Sequence, residues 1–298
     1  MKIINPSYEI LTQGEDLVGI YKHIELAGRT CYKSEEYITK DSATNFVEGL
    51  IKLKHFSVLE HSTVYMIIPF SIIDLTENES KPIISECVTK YQSNPYTKVN
   101  LVWQGSEGLA HITTNYRVLL ENKWLDDLKY LCVPTKYHSR RTTVRFICDR
   151  GVSHELVRSR HFSFSQESTR YCNYSRDKFD NELTFIQPSW YKPIEFDSVR
   201  PPEDNDRLMA IYTFTRGLES IEEVYMELLK RGWTPQQARA ILPNALKTEV
   251  VMTGFNSDWD EFFKKRTSIF AETGVPHPDM SHLCDPLYNE FVKNNYTI

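Results

Sequence analysis

Most of the signatures by which a sequence declares a simple function are missing from this chain. No apolar run approaches the roughly 20 residues of a membrane-spanning helix, and the longest, Val64 to Ile73, is interrupted by Pro69. The opening Met1-Lys2-Ile3-Ile4-Asn5-Pro6 lacks the apolar core of a secretion signal. The six cysteines, Cys31, Cys87, Cys132, Cys148, Cys172 and Cys284, form no C-x-x-C pair and do not cluster near paired histidines, so neither a zinc centre nor a redox dithiol is supported. No G-x-G-x-x-G or G-x-x-x-x-G-K-[ST] string occurs, which removes the basis for a Rossmann domain or a P-loop. Nor is there a repeat period. Positive charge is not in excess: 35 Lys and Arg against 40 Asp and Glu give a formal −5, which argues against a dedicated nucleic-acid or membrane surface. The expectation is a cytoplasmic protein with reduced thiols and no metal.

What is present suits an ordinary globular chain. Its 298 residues, 41% apolar and 12% aromatic, can bury a sizeable core without staples. The expected class is mixed α/β, a central sheet flanked by helices in a single domain over 1–298. Helical spacing marks 41–54, with Asp41 or Ser42 as cap. His61 to Ile68 is β-branched and aromatic and reads as a strand ending at Pro69. Residues 74–110 are polar and read as loops with short helices. A second strand is expected at Thr142 to Cys148, then a helix from Ser153. From Asp206 to Lys230, apolar residues recur every three or four positions before Arg231-Gly232, which predicts a long amphipathic helix. Thr234-Pro235-Gln236-Gln237 carries the start signals of another. A last helix begins near Ser257 or Asp258 and leads to Arg266. The 74–135 and 176–205 regions read as insertions.

The chemistry concentrates in one stretch. Between Lys136 and Arg176 stand nine Lys or Arg against Asp149, Glu155 and Glu167, a local excess of +6 in an acidic protein. Arginine offers planar, bidentate binding of phosphate and of carbonyl-rich rings and never loses its charge, so the stretch points to a phosphorylated ligand. Arg158 to Tyr171 packs guanidinium groups, hydroxyls, an amide and aromatic rings into fourteen residues. Such density either coats a solvated surface or converges on a ligand.

This stretch resembles the signature of the flavin-dependent thymidylate synthases, R-H-R followed after seven residues by Ser. Arg158 and Arg160 match the paired arginines, His161 to Glu167 the seven intervening residues, and Ser168, Arg170 and Tyr171 the polar end. Ser159 stands where the family usually has His, and Gln166 where it commonly has Glu. Four further segments follow the family's order: Arg29-Thr30-Cys31-Tyr32, Val58-Leu59-Glu60-His61, Arg239-Ala240-Ile241-Leu242-Pro243, and Trp259 to Arg266.

The resemblance implies reductive methylation of dUMP to dTMP, with methylenetetrahydrofolate as one-carbon donor, NADPH as reductant and FAD as cofactor. It implies flavin contacts from His61, Thr63, Arg158, Ser159, Arg160 and Gln166. Nucleotide contacts would come from Glu155, Arg158, Gln166, Glu167, Ser168, Arg170, Arg239 and Arg266. Arg266 would be the catalytic group, polarising the uracil ring as electron density rises on its carbonyl oxygens. It also implies a homotetramer with active sites between subunits.

Read without the resemblance, His61 is an edge histidine bonded to a neighbouring carboxylate in preference to a ligand contact, and Arg239 and Arg266 are helix-surface arginines in ion pairs. Ser168 has no G-x-S-x-G elbow and reads as a binding residue, not a nucleophile. A single-stranded nucleic-acid-binding module is the alternative, built on 158–171 with Phe162, Phe164 and Tyr171 as stacking platforms. A nucleotide hydrolase lacks the Asp/His metal cluster it would need.

Overall fold

Alternation of buried and exposed residues along short β-branched runs decides where the sheets form. The computed structural model describes residues 1–71, 86–104, 107–191, 206–270 and 274–296. The first half runs β1 (Lys2–Ile4), β2 (Ser7–Leu11), α1 (Leu17–Thr30), α2 (Ser42–Lys52), β3 (Val64–Ser71), α3 (Glu86–Gln92), β4 (Lys98–Gln104), β5 (Glu107–Thr114) and α4 (Tyr116–Glu121). The second half runs β6 (Arg141–Asp149), α5 (Arg150–Leu156), β7 (Ser163–Gln166), β8 (Thr184–Ile186), α6 (Asp206–Lys230), α7 (Pro235–Ala238), β9 (Lys247–Phe255), α8 (Asn256–Arg266) and α9 (Pro278–Lys293).

The fold is mixed α/β, and its strands divide among several sheets. The largest is antiparallel in the order β2-β6-β9-β7, the second is β3-β5-β4, and β1 and β8 form a parallel pair. One face of the largest sheet packs Val144 and Phe146 of β6 with Val250 and Met252 of β9 into a core completed by Trp259, Phe263, Leu287 and Phe291 from α8 and α9. Each such side chain contributes roughly 1.5–3 kcal/mol by leaving water. A second core joins α1 and α2 to β3 and β5 through Ile24, Val47, Met66 and Ile112, and a third holds α6 against β8 through Leu218, Tyr225 and Phe185.

The expected elements at 41–54, 142–148, 206–230 and 234–237 all form. The long helix is followed by Gly232 at φ +92, a conformation that glycine adopts without strain. The Thr234 and Gln237 capping box is present, with Pro235 at the first turn. Three expectations need correction. β3 passes through Pro69 to Ser71, because it is an edge strand and the missing N–H costs no ladder bond on its open side. Residues 98–104 and 107–110 are not loops: β4 and β5 pair from Lys98↔Thr113 to Gln104↔Glu107. The helix after β6 starts at Arg150 rather than Ser153, because the Asp149 carboxylate accepts the Val152 N–H at 2.8 Å. The insertion expected at 74–135 therefore contributes two strands to a sheet, while most of the proline-rich 188–205 stretch lies outside the described residues.

Candidate active site

β7 carries the second half of the arginine-rich stretch and is the outer strand of the largest sheet, paired to β9 from Ser163↔Thr253 to Gln166↔Val250. Two aromatic residues of the stretch pack inward, while Tyr171 stays exposed. Phe162 lies 4.8 Å from Trp259 and Phe164 packs against the same core. The close approach of Phe162 needs Gly254, where a Cβ would fall 2.4 Å from the ring. Phe162 and Phe164 are thus core residues, which removes two of the three stacking platforms of the nucleic-acid alternative.

The polar residues of the stretch separate into three groups. Arg158 and Arg160 are exposed and have no ion-pair or side-chain hydrogen-bond partner among the described residues. Ser159 between them is half-buried. Gln166 donates to Ser153 Oγ at 3.0 Å and Thr248 Oγ1 at 3.2 Å, which fixes its amide on the α5 side of the sheet. Glu167 turns inward: Lys247 Nζ lies 2.9 Å from Oε2 and the Tyr174 hydroxyl donates to Oε1 at 3.0 Å. Both carboxylate oxygens of Glu167 are thus engaged inside the protein.

Lys247 also meets Glu249 at 2.6 Å, and Glu249 meets Lys33 at 2.9 Å. Burial opposes every charge here, yet Glu167 and Glu249 hold Lys247 above its ordinary range, and Lys247 and Lys33 hold Glu249 below its own. Lys33, Lys247 and Glu249 belong to no motif and were not anticipated. Lys33 follows the Arg29 to Tyr32 segment, whose Cys31 carbonyl accepts the Ser168 N–H at 2.9 Å and whose Tyr32 ring sits 5.0 Å from Tyr171. The charge network thus underlies the junction of two of the resemblance segments. A cavity of about 780 Å³ borders that junction at Cys31 and Tyr32.

Arg170 donates to Gln236 at 3.2 Å, one turn before the exposed Arg239. Arg266, at the end of α8, donates Nη1 to Glu155 Oε2 at 2.6 Å and Nη2 to the Glu155 carbonyl at 3.0 Å. Glu155 and Arg266 are therefore brought together, with α5 and α8 fixing each other's functional side chain. A guanidinium carries more N–H donors than these two bonds use, so Arg266 remains able to donate to a ligand.

His61 lies fully inside the fold, its Nδ1 2.8 Å from Thr253 Oγ1 and its Nε2 without a hydrogen bond. Burial lowers its pKa to about 3 and keeps the ring neutral. Thr63 exchanges backbone hydrogen bonds with the Gln13 side chain and lines a different cavity, of about 420 Å³. Neighbouring Glu60 accepts from Ser163 Oγ at 2.7 Å and pairs with Arg117, while Arg141 donates to the carbonyls of Ser62 and Glu60. Arg117 and Arg141 thus brace the Glu60-His61 turn. Burial pushes the thiols of Cys31, Cys132, Cys148, Cys172 and Cys284 upward, so none of these five is poised as a thiolate. Among the described residues no group of three His, Cys, Asp or Glu could hold a metal, and no helix is long and apolar enough to cross a membrane.

The sequence model of the thymidylate synthase complementing protein family matches residues 71–293. A flavin-dependent thymidylate synthase of Mycolicibacterium gilvum is 25% identical over 269 residues, spanning 85% of this chain and 69% of the relative. One from Corynebacterium aurimucosum is 34% identical over 126 residues, 42% of this chain and 48% of the relative. The solved UMP/dUMP methylase PolB of Streptomyces cacaoi, bound with 5-Br dUMP, aligns with 98% of this chain and 93% of its own at 14% identity and a TM-score of 0.46.

Proposed function

This chain belongs to the thymidylate synthase complementing protein family, and from that membership we propose that it is an FAD-dependent thymidylate synthase. It converts dUMP to dTMP with methylenetetrahydrofolate as one-carbon donor and NADPH as reductant, in the cytoplasm. The observation that carries the reading is the set of exposed arginines, Arg158, Arg160 and Arg239, that have no anionic partner among the described residues. Permanent positive charge left unpaired is the donor set that a dinucleotide diphosphate and a nucleotide phosphate require, so the residues present fit both groups. Bound flavin supplies the hydride.

Arg158 and Arg160, with Ser159 between them, bind the flavin. His61, Gln166 and Thr63 complete the flavin set. Arg170, Ser168 and Arg239 hold the nucleotide. Arg266, oriented by Glu155, donates to a uracil carbonyl and stabilises the charge that builds on the ring when its carbon attacks the methylene unit. This removes the need for a cysteine nucleophile. The exposed Arg158 and Arg160 precede β7, an outer strand of its sheet, which supports a homotetramer in which a second subunit closes the site.

The test is product formation. Purified protein with FAD, dUMP, methylenetetrahydrofolate and NADPH is expected to yield dTMP under anaerobic conditions. Flavin reduction with dUMP left unchanged would overturn the methyl-transfer assignment.

A further inference from the structure

His61 terminates a chain of hydrogen bonds that crosses the largest sheet. His61 Nδ1 lies 2.8 Å from Thr253 Oγ1, Thr253 Oγ1 lies 2.8 Å from Thr143 Oγ1, and Thr143 Oγ1 lies 2.9 Å from His23 Nε2. Thr143 and Thr253 are direct partners in the β6–β9 ladder, which sets their spacing, while α1 and the turn before β3 bring one histidine to each end. All four residues are buried. The two outer nitrogens, His23 Nδ1 and His61 Nε2, are buried and without a completed hydrogen bond. A backbone carbonyl faces each, that of Thr12 at His23 and that of Phe164, in β7, at His61.

The number of protons makes this chain bistable. A neutral imidazole carries one N–H and each hydroxyl one O–H. If both outer nitrogens kept their proton, both hydroxyls would have to donate outward to the rings. The two threonine oxygens would then face each other at 2.8 Å with no proton between them. All three internal bonds survive only when the donors run one way. In one arrangement both rings are protonated at Nδ1, and His61 Nε2 is a bare lone pair beneath β7. In the other both are protonated at Nε2, and His61 donates toward Phe164. Burial keeps both rings neutral, His23 at a pKa of about 4, with the Arg141 cation adding to the effect. His23 and Thr143 line the cavity of about 420 Å³, with Arg140 and Arg141 in its wall.

We propose that His23, Thr143 and Thr253 are a tautomer relay that sets, from the cavity, which nitrogen of His61 carries the proton beside β7, the strand that follows Arg158 and Arg160. A hydrogen-bond acceptor reaching His23 Nδ1 holds both rings in the Nδ1–H form, and a donor there holds both in the Nε2–H form. Switching moves one proton per link. In one direction His61 Nε2 gains a proton, His61 Nδ1 passes its own to Thr253, Thr253 to Thr143, Thr143 to His23 Nε2, and His23 Nδ1 releases one to the cavity. No electron moves. The bearing on flavin rests on the function proposed above, whereas the coupling of the rings rests on the hydrogen bonds alone. His23, Thr143 and Thr253 are positioning residues.

The test is nitrogen-15 NMR of the histidine rings in the intact, ligand-free protein at neutral pH, with His23→Gln and His61→Gln identifying the signals. In the wild type the two rings are expected to share one tautomer, or equal fractions of both. Thr253→Val cuts the chain, and the rings should then move to opposite tautomers, His23 at Nδ1–H and His61 at Nε2–H. Thr253→Ser should restore the match. Thr143→Val makes the same cut at the next link and serves if Thr253→Val does not fold. Opposite tautomers in the wild type, or matched tautomers surviving both valine substitutions, overturn the relay. Flavin retention on the same samples separates the two claims: matched tautomers in a protein that never binds flavin uphold the relay and overturn the proposed function.

Discussion

Two charged regions of the molecule are built on opposite rules. Inside, Lys33, Lys247, Glu167 and Glu249 alternate in sign, and every charge has a partner within 3 Å. Outside, Arg158, Arg160 and Arg239 have none among the described residues. A buried charge must be matched within the chain, because its desolvation is compensated nowhere else. An exposed guanidinium pays little to remain unmatched and is available to a ligand. The difference is the one expected between a scaffold and a binding surface, and Glu167 falls on the scaffold side.

The largest expected effect comes from breaking the interior. Lys247→Met leaves Glu167 and Glu249 short of a cation and should destabilise the fold by about 3–5 kcal/mol, read as a lowered midpoint in denaturant. An unchanged midpoint would show that the network is not structural. Next is Arg266→Ala, which should lower kcat on the order of a hundredfold or more, as removal of one charge-stabilising donor does, with little change in thermal stability. A comparable fall in stability would make the Glu155–Arg266 pair a helix tie only.

Acid should act on the interior in two stages. His23 and His61 have folded values below the ordinary 6.5, so their contribution is complete above pH 6.5 and is lost as pH falls toward their folded values of about 4 and about 3, by up to roughly 1.4 kcal/mol per pH unit for each ring. Glu249, held below the ordinary 4.5, adds its loss only as pH falls under that value. Chemical denaturation at pH 7.5, 6 and 5 checks this, and stability that is flat over that range would contradict the buried neutral histidines. The smallest effect is at the outer edge: Ser159→His restores the residue usual at this motif position and should tighten flavin binding by a few-fold without altering stability. Unchanged affinity would show that the imidazole has no role here.

How much of this was legible in the sequence depends on the range of the interaction. The helix from Asp206 to Lys230 and the capping box at Thr234 are local patterns, and both form as read. The alternation of Val99, Leu101 and Trp103 in β4 was a strand signal hidden by polar neighbours, and the spacing of Met280, Leu283, Leu287 and Phe291 in α9 was a helix signal passed over. The motif located Arg158, Arg160 and Arg266 but gave no direction for their side chains. Glu167 looked like its neighbours until the fold turned it toward Lys247. Lys33 and Glu249 are separated by 216 positions, and no local pattern marks either as the other's partner. His61 reads as a flavin contact or an edge histidine bonded to a carboxylate, and only the tertiary structure joins it to Thr253 of β9.

The central claim is that the unpaired outer arginines hold a flavin that the paired interior merely supports. The most direct measurement is the visible absorbance of protein mixed with FAD and passed through gel filtration, for the wild type and for Arg158→Gln/Arg160→Gln, with thermal midpoints recorded alongside. The account predicts a wild type that retains flavin, bleached by NADPH in the absence of oxygen, and a double variant that folds equally well and elutes colourless. A wild type that retains no flavin even with dUMP present, or a double variant that retains it in full, would contradict the account.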